Sequence, residues 1–284
     1  MYGYFTERNY KGSCPYTDLA VERGRADLDI PGVEFIKEER HVGFLEKIKI
    51  STKRAAESLG RPIGLYHTLT TDRADRLSED QIIALQDELA GELCSMFDES
   101  DIFPGRILII GLGNRNLTPD SVGCEAAKLI RPTLHIKEWD IKTFTKLRCA
   151  EIAVATPGVA AESGLDAVVM VKALCDLLHP DAVITIDALA TSSITRLGST
   201  VQICNSGVSP GSGIGNPRLA IGIETVGVPV VSIGVPTVID SRVLSEAGDF
   251  SKEPMFVSPK EINEIVTASA RIISGGINLA FGIS

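Results

Sequence analysis

The sequence predicts an α/β protein with a mainly parallel sheet, helices on both faces, and a small β-containing region near the N-terminus. Two observations support this fold class. From residue 106 onward, short unbroken apolar runs alternate with helical patterns, which is typical of buried parallel strands joined by helices. The 284 residues are 44% hydrophobic but only 5% aromatic, so we expect an aliphatic core of the kind common in α/β proteins.

Composition and simple motifs exclude several classes of protein. The net charge of −9 argues against direct nucleic-acid binding and suits a cytoplasmic protein. No apolar run approaches the roughly 20 residues of a membrane span, and residues 1–10 lack the apolar core of a signal peptide. Asn116 stands where a dinucleotide fingerprint starting at Gly111 needs its third glycine. The six cysteines and four histidines show no metal-ligand spacing, so we expect reduced thiols, no metal and no cofactor.

The N-terminal third contains weak strand signals and one clear helix. Residues 1–30 are polar and non-periodic, which predicts a loosely held arm. Within it, Tyr16–Glu22 has an acid, three apolar residues and a second acid, and its simplest interpretation is a short edge strand. Residues 33–50 and 63–70 are strand-like and predict a small β region beside the main sheet. Ser78 caps an amphipathic helix that continues to Phe97.

The remaining chain alternates between strand and helix signals. Ser258 is expected to cap the last helix, and Gly275 and Gly276 to end it. Residues 139–145 are ambiguous. The predicted strands cover 107–110, 151–155, 183–186, 199–203 and 228–235, with Pro236 ending the last, and the predicted helices cover 119–130, 166–178 and 259–274.

The loop after the first of these strands presents a carboxylate. Gly111 and Gly113 let the backbone turn tightly, Thr118 is a suitable N-cap, and Pro119 suits the first helical position. Asp120 then falls in the first turn of the next helix, above the carboxyl edge of the sheet, where open α/β sheets have their sites. The alternative is that Asp120 only stabilises the helix.

A second carboxylate is predicted at the same edge. Asp187 follows the buried strand 183–186, and the carboxyl ends of parallel strands lie together. Two carboxylates that share a site have pKa values that are pushed apart, which provides one acid and one base, as in aspartic proteases. The alternative is that Asp187 caps a turn or pairs with Arg196. A hydrolytic site formed by Asp120 and Asp187 is therefore one of several open interpretations.

A glycine- and serine-rich loop follows the next strand. Residues 205–216 are long for an inert connection, and loops of this kind tend to be functional. Its backbone N–H groups can stabilise an oxyanion or hold a peptide strand at the same edge. The candidate substrate-binding residues in this loop are Gly207, Gly211, Ser212 and Gly213.

Several long motifs resemble the germination protease family, the spore endopeptidases of endospore-forming bacteria. They occur in the family's order and extend from the N-terminal arm to the end of the chain. The motifs that carry the resemblance are Gly111–Asn114, Thr118–Gly123, Pro157–Val159, Ile186–Ala190, Ser206–Asn216, Ile233–Asp240, Val257–Glu261 and Gly275–Asn278.

The resemblance implies a specific function. It implies a phosphorylase- and hydrogenase-maturation-protease-like fold, with residues 1–18 as a propeptide and residues 19–284 as a single peptidase domain. The Asp18–Leu19 bond becomes the self-processing site, and the family's two catalytic aspartates correspond to Asp120 and Asp187. The expected substrates are small acid-soluble spore proteins, cut after an acidic residue during germination. The expected form is a homotetramer in the spore core, part of the forespore cytoplasm.

Two other functions remain open. A metal-dependent maturation endopeptidase has a similar fold, although His135 and His179 are poorly located for it. An inactive relative that binds peptides as a regulator is the non-enzymatic alternative. The chain also departs from the family pattern. Thr191 and Ser192 stand where Ala-Arg is common, and the region between residues 240 and 258 is short.

Overall fold

A single large sheet organises the molecule. The computed structural model describes residues 16–23, 30–211, 215, 219–244, 253 and 255–283. The strands found among these residues are β1 (Val33–Glu39), β2 (Phe44–Ile50), β3 (Gly64–Thr70), β4 (Arg106–Gly111), β5 (Glu151–Ala155), β6 (Ala182–Thr191), β7 (Thr200–Cys204), β8 (Val230–Asp240) and β9 (Phe256–Val257).

The sheet is mixed rather than parallel throughout. Its strand order is β1-β2-β3-β7-β8-β6-β4-β5, and β9 pairs with the end of β8. The neighbours β5, β4, β6 and β8 are parallel, so the predicted α/β class is confirmed in this half. The other pairings are antiparallel. The predicted N-terminal β region is not a separate unit beside the sheet, because β3 pairs along β7 and extends the same sheet.

Helices cover both faces, as predicted. On one face, α2, α3 and α9 enclose the largest apolar cluster. On the other face, α7 and α8 cover one half of the sheet, and α1 with the segment around Leu19 covers the other half. The α-helices among the described residues are α1 (Lys53–Leu59), α2 (Glu79–Glu99), α3 (Val122–Leu129), α4 (Leu134–Trp139), α5 (Ile141–Leu147), α6 (Ala160–Ser163), α7 (Ala167–Leu178), α8 (Ile223–Val226) and α9 (Ile262–Ala280).

Local signals located some helix ends correctly and others wrongly. Ser78 caps α2 as expected, and it forms a reciprocal capping box with Gln81. The ambiguous residues 139–145 belong to α4 and α5, which are separated by Asp140, whose carboxylate caps α5. The predicted stop of the last helix is wrong, because α9 continues through Gly275 and Gly276. Both glycines lie against α2, where the closeness of the two helices leaves no room for a side chain.

Two central strands are longer than predicted. Asp187 does not end β6, which continues to Thr191 alongside β8. Pro236 does not end β8 either; it lies opposite Leu189, and the pairing register shifts immediately afterwards. Proline has no N–H to donate, so an irregularity at this point is expected. Among the described residues, no helix is both long and apolar enough to cross a membrane.

Candidate active site

A deep cleft opens over the middle of the sheet, on the face that carries α7. Its volume is about 620 Å³, and it separates the apolar cluster under α7 and α8 from the cluster around Leu19. The strands below it are β6, β8 and β7, and the loop after β4 forms one wall. The polar and loop residues that line the cleft include Asp18, Asp120, Asp187, Gln202, Gly207 and Gly211.

Close backbone packing holds Asp120 at the cleft. Gly113 has φ +97°, and a Cβ there would lie 1.9 Å from the carbonyl oxygen of Asp120. A side chain at position 113 would therefore displace the Asp120 loop. The carboxylate of Asp120 accepts a hydrogen bond from the N–H of Asn114 at 2.8 Å. Thr118 and Asp120 belong to a 3₁₀ helix that precedes α3, so the predicted N-cap role of Thr118 is wrong.

Asp187 is almost completely buried. It lies one residue beyond the last paired position of β4, and only 7% of its surface is exposed. Burial raises the pKa of Asp187 well above its ordinary value, and the nearby carboxylates of Asp120 and Asp18 raise it further. The N–H of Ala188 opposes this shift by donating to Asp187 Oδ1 at 2.9 Å. Asp187 therefore retains its proton to a higher pH than an ordinary carboxyl group.

Arg196, the suggested partner of Asp187, points elsewhere. Its guanidinium donates to Glu46 at 2.8 Å and to Thr70 at 3.1 Å. The alternative interpretation of Asp187 as half of an ion pair with Arg196 is therefore wrong. The partners of Arg196 lie on β2 and β3, away from the neighbours of Asp187 on β4 and β8.

The segment from Tyr16 to Glu22 is packed into the molecule. The prediction of a loosely held arm is wrong for these residues. Leu19 is 0% exposed and lies among apolar side chains that include Ile48, Tyr66 and Leu189. Burying a leucine side chain rather than leaving it exposed stabilises the packed segment by about 1.5–3 kcal/mol. The segment is not an edge strand, because residues 20–22 form a 3₁₀ helix.

Backbone and side-chain contacts fix the Asp18–Leu19 peptide in the cleft. The N–H of Asp18 donates to the carbonyl oxygen of Ala190 at 2.9 Å, and the N–H of Ala190 donates to the carboxylate of Asp18 at 2.9 Å. The side-chain amide of Gln202 spans the peptide. Its Nε2 donates to the Asp18 carbonyl oxygen at 3.2 Å, and its Oε1 accepts from the N–H of Ala20 at 2.8 Å.

Further hydrogen-bond donors bind the segment before and after the Asp18–Leu19 peptide. Upstream, Arg61 Nη2 donates to the carbonyl oxygen of Thr17. Burial lowers the pKa of Arg61, and the nearby Asp18 carboxylate opposes that shift. Downstream, the Glu22 carboxylate accepts hydrogen bonds from the N–H and hydroxyl of Ser192, at 2.7 and 2.6 Å, and from the hydroxyl of Thr191. The two acids of the segment therefore have separate sets of donors.

The glycine-rich loop reaches the cleft in part. Gly207 and Gly211 line it, whereas Ser212 and Gly213 lie outside the described residues. Gly207 has φ +78°, and a Cβ there would lie 2.3 Å from the carbonyl oxygen of Ile221. The N–H of Val208 donates to that same oxygen, so this N–H already has a hydrogen-bond partner within the protein.

Sequence patterns missed several groups that contact the segment. Gln202 and Arg61 were not singled out from the sequence, and Ala190 and Ser192 were noted only for their match to, or departure from, the family motifs. A signal existed for Gln202, because a long polar side chain inside the apolar run of β7 requires a hydrogen-bonding partner. For Ala190 and Ser192 there was none, since main-chain N–H groups make these contacts wholly or in part.

The arrangement fits water-mediated hydrolysis better than attack by a thiol. Cys204 also lines the cleft, but burial raises the pKa of its thiol, which disfavours the reactive thiolate. Among the described residues, no group of three or more His, Cys, Asp or Glu side chains is placed to hold a metal ion. Two carboxyl groups in one cleft, one of them buried and with a raised pKa, can together activate a water and protonate a leaving group.

Comparison with known proteins gives the family. The family model for germination protease matches residues 17–253. The germination protease of Caldanaerobacter subterraneus subsp. tengcongensis is 34% identical over 93% of both chains. That of Clostridium perfringens strain ATCC 13124 is 31% identical over 93% of this chain and 94% of the relative. That of Priestia megaterium is 34% identical over 82% of this chain and 66% of the relative.

A solved structure is also similar in part. A NiFe hydrogenase maturation protease from Thermococcus kodakarensis KOD1 aligns with a TM-score of 0.36 and 20% identity, over 64% of this chain and 96% of the other. The extent of the family match and of the sequence alignments shows that the chain belongs to the germination protease family of peptidases.

Proposed function

We propose that this chain is a self-processing endopeptidase that cuts its own Asp18–Leu19 bond, with Asp120 and Asp187 acting on the attacking water. Residues 1–18 are then the propeptide, and residues 19–284 are the peptidase domain. One observation carries the proposal: Asp18 lines the cleft that contains both aspartates, close enough to raise the pKa of Asp187.

The two carboxyl groups have different roles in this proposal. Asp187 keeps its proton to a higher pH than an ordinary carboxyl group, so it is the group that supplies the proton that the Leu19 nitrogen needs when it leaves. Asp120 accepts a hydrogen bond from the Asn114 N–H, which stabilises negative charge on its oxygen, and it takes a proton from the water. The water oxygen adds to the carbonyl carbon of Asp18 and the C–N bond breaks. The products are a carboxyl group on Asp18 and an amino group on Leu19.

The contacts of the segment account for a preference in the sequence that is cut. The carboxylate before the bond is bound by the N–H of Ala190, and the residue after it fills an apolar pocket. The second acid is bound by Ser192 and Thr191. Thr191 and Ser192 are neutral, whereas Ala-Arg is common at these two positions in the family that the sequence resembles. We infer that this chain binds Glu22, the acid after the cut, with hydroxyl and main-chain donors.

The substrates, assembly and location in this proposal come from the family. Germination proteases of endospore formers give the expectation of small acid-soluble spore proteins as substrates, of a homotetramer, and of a spore-core location. Digestion of purified small acid-soluble spore proteins by the processed chain checks the first of these. We expect cuts after an acidic residue that an apolar residue follows.

Intact mass measurement tests the self-processing. The purified full chain is incubated at mildly acidic pH and low water activity, beside an Asp187→Asn variant. We expect the wild type alone to lose its first 18 residues, because an asparagine cannot supply the proton. Asp176→Asn is the matched control, since Asp176 is an exposed carboxylate on α7 that pairs with Lys172 at 2.5 Å. The control is expected to process at the wild-type rate.

Two results would refute the proposal. Equal processing in Asp187→Asn and in the wild type would remove Asp187 from the chemistry. Cleavage at a bond other than Asp18–Leu19 would show that the packed segment is not the processing site.

A further inference from the structure

We propose that Gln202 is a catalytic residue whose side-chain N–H stabilises the oxyanion formed on the Asp18 carbonyl during self-cleavage. This inference rests on the proposed cleavage of the Asp18–Leu19 bond. Gln202 lies in the middle of β7, is 6% exposed, and contacts the peptide on both sides of that bond.

The sheet places Gln202 opposite the catalytic carboxyl group. Gly234 on β8 pairs with Asp187 on one side and with Gln202 on the other, so the three residues form one row across the sheet. Directly paired residues of neighbouring strands point to the same face. With strands about 4.8 Å apart, Asp187 and Gln202 stand roughly 10 Å apart at their Cα atoms.

Gly234 lies between them in the row and has no side chain. A Cβ there would lie 2.5 Å from Cγ of Leu189, so the Leu189 side chain packs directly over the glycine. The row therefore has a proton donor at one end and an amide at the other, with Leu189 between them. At one end of the row, the carbonyl oxygen of Asp18 accepts a hydrogen bond from Gln202. At the other end, the Asp18 side-chain carboxylate is close enough to raise the pKa of Asp187.

The direction of the hydrogen bond fits oxyanion stabilisation. When water adds to the carbonyl carbon, the electron pair of the C=O bond moves to the Asp18 oxygen. That oxygen accepts from Gln202 Nε2 at 3.2 Å in the uncleaved chain, and hydrogen bonds of this type shorten as negative charge develops. The oxyanion then collapses, the C–N bond breaks, and the Leu19 nitrogen takes a proton. The bond from Ala20 to Gln202 Oε1 keeps the amide oriented, so the N–H faces the reacting oxygen.

Two isosteric variants separate this role from simple packing. Gln202→Met removes both hydrogen bonds. Gln202→Glu keeps an acceptor for the Ala20 N–H but replaces the donor with a carboxylate oxygen at neutral pH. The measurement is the first-order rate of Asp18–Leu19 cleavage in the full chain, followed by intact mass, with the midpoint of thermal unfolding measured on each variant.

We expect both variants to cleave about 10²–10³-fold more slowly than the wild type at pH 7, the usual loss for removal of one oxyanion donor. As the pH falls, the glutamic acid regains a proton and therefore an O–H donor, so Gln202→Glu recovers relative to Gln202→Met. The other ionisable groups lining the cleft are Asp18, Asp120, Asp187, Arg61, Tyr66 and Cys204, and both variants contain all of them, so the ratio of the two rates reports the change at residue 202. A purely structural role does not produce this recovery.

Each outcome decides the proposal. Rates within threefold of the wild type in both variants would overturn it, as would a Gln202→Glu to Gln202→Met ratio that does not change with pH. Both variants can also lose stability, so that the unfolding midpoint falls together with the cleavage rate. In that case, a recovery of the cleavage rate at low pH in Gln202→Glu alone still supports the donor role, and the absence of this recovery refutes the donor role. Failure of the wild type to cleave at Asp18–Leu19, or normal cleavage by Asp187→Asn, would instead remove the proposed function, and this inference with it.

Discussion

Asp187 is a buried acid in the middle of β6, a strand that is buried over most of its length. Its neighbours in β6, Ile184 and Ile186, are fully buried on the opposite face, and the loss of hydration is the largest cause of its raised pKa. An acid in such surroundings stays neutral where an exposed aspartate is charged. The same burial that disfavours the charge keeps a proton available for the acid role that we propose for Asp187.

The raised pKa predicts a pH-dependent cost in stability. In the unfolded chain Asp187 ionises near a pKa of about 3.9, whereas in the folded chain it keeps its proton to higher pH. The unfolded state therefore binds fewer protons between these two pKa values, and folding stability declines as the pH rises through that window. Asp187→Asn has no such proton, so we expect it to gain stability over the wild type, by up to about 1.4 kcal/mol per pH unit.

Urea unfolding of both proteins between pH 4 and pH 8 measures this difference, with intact mass checked at each pH. The stability difference is expected to grow from the acidic end and to level off above the folded pKa. Parallel pH curves for the two proteins would contradict the assignment of a raised pKa to Asp187.

Among the elements, the contact between α2 and α9 shows how packing overrides a local stop signal. Two adjacent glycines are a strong end signal for a helix, yet α9 runs through Gly275 and Gly276. A Cβ on Gly276 would lie 2.8–2.9 Å from Cβ, Cγ and Cδ2 of Leu89 in α2. The glycines therefore let two long helices approach closely over the largest apolar cluster.

A matched pair of substitutions tests this explanation. Gly276→Ala gains helix propensity but forces Leu89 and the α2 backbone to shift, and we expect a net loss of about 1–2 kcal/mol. Gly91→Ala changes a glycine on the exposed side of α2, where no atom lies within 4 Å of the added Cβ. This control is expected to gain about 0.5–1 kcal/mol. Urea unfolding measures both changes, and a stabilised Gly276→Ala would show that the helices are not in tight contact there.

At the scale of the whole molecule, the chain holds its own N-terminal segment in its own cleft. Residues 16–22 are bound by β6 and β7 and cover one half of a sheet face. If Asp18–Leu19 is the bond that is cut, as we propose, its cleavage does not depend on an encounter with a second molecule, since Asp18 lines the same cleft as Asp120 and Asp187.

This arrangement predicts intramolecular processing. We expect the first-order rate constant for loss of residues 1–18 to stay unchanged over a roughly 100-fold range of protein concentration, provided that sedimentation shows one assembly state throughout. A mixture of wild type and Asp187→Asn checks the same point, since the variant is expected to remain uncut. A rate that rises in proportion to concentration, with processing of the variant, would show that cleavage occurs between molecules.

Much of the fold and part of the site followed from local patterns. The buried run Ile107–Ile110, the capped helix α2 and the alternation after residue 106 each depend on neighbouring residues, and the structure has all three. Asp120 was located through the strand and glycines before it, and Asp187 through its buried strand. Local patterns failed at Pro236 and at Gly275 and Gly276, where neighbouring elements decide whether a strand or helix continues.

The sequence by itself determined the α/β class, the family and the two carboxylates, because apolar periodicity and contiguous motifs are local properties of the chain. Only the tertiary structure decided how the Asp18–Leu19 segment is bound. Its contacts to Ala190 and Gln202 join residues 172 to 184 positions apart, and no periodicity spans such distances. The raised pKa of Asp187 is likewise a tertiary property, since it comes from burial and from carboxylates that three separate parts of the chain bring together.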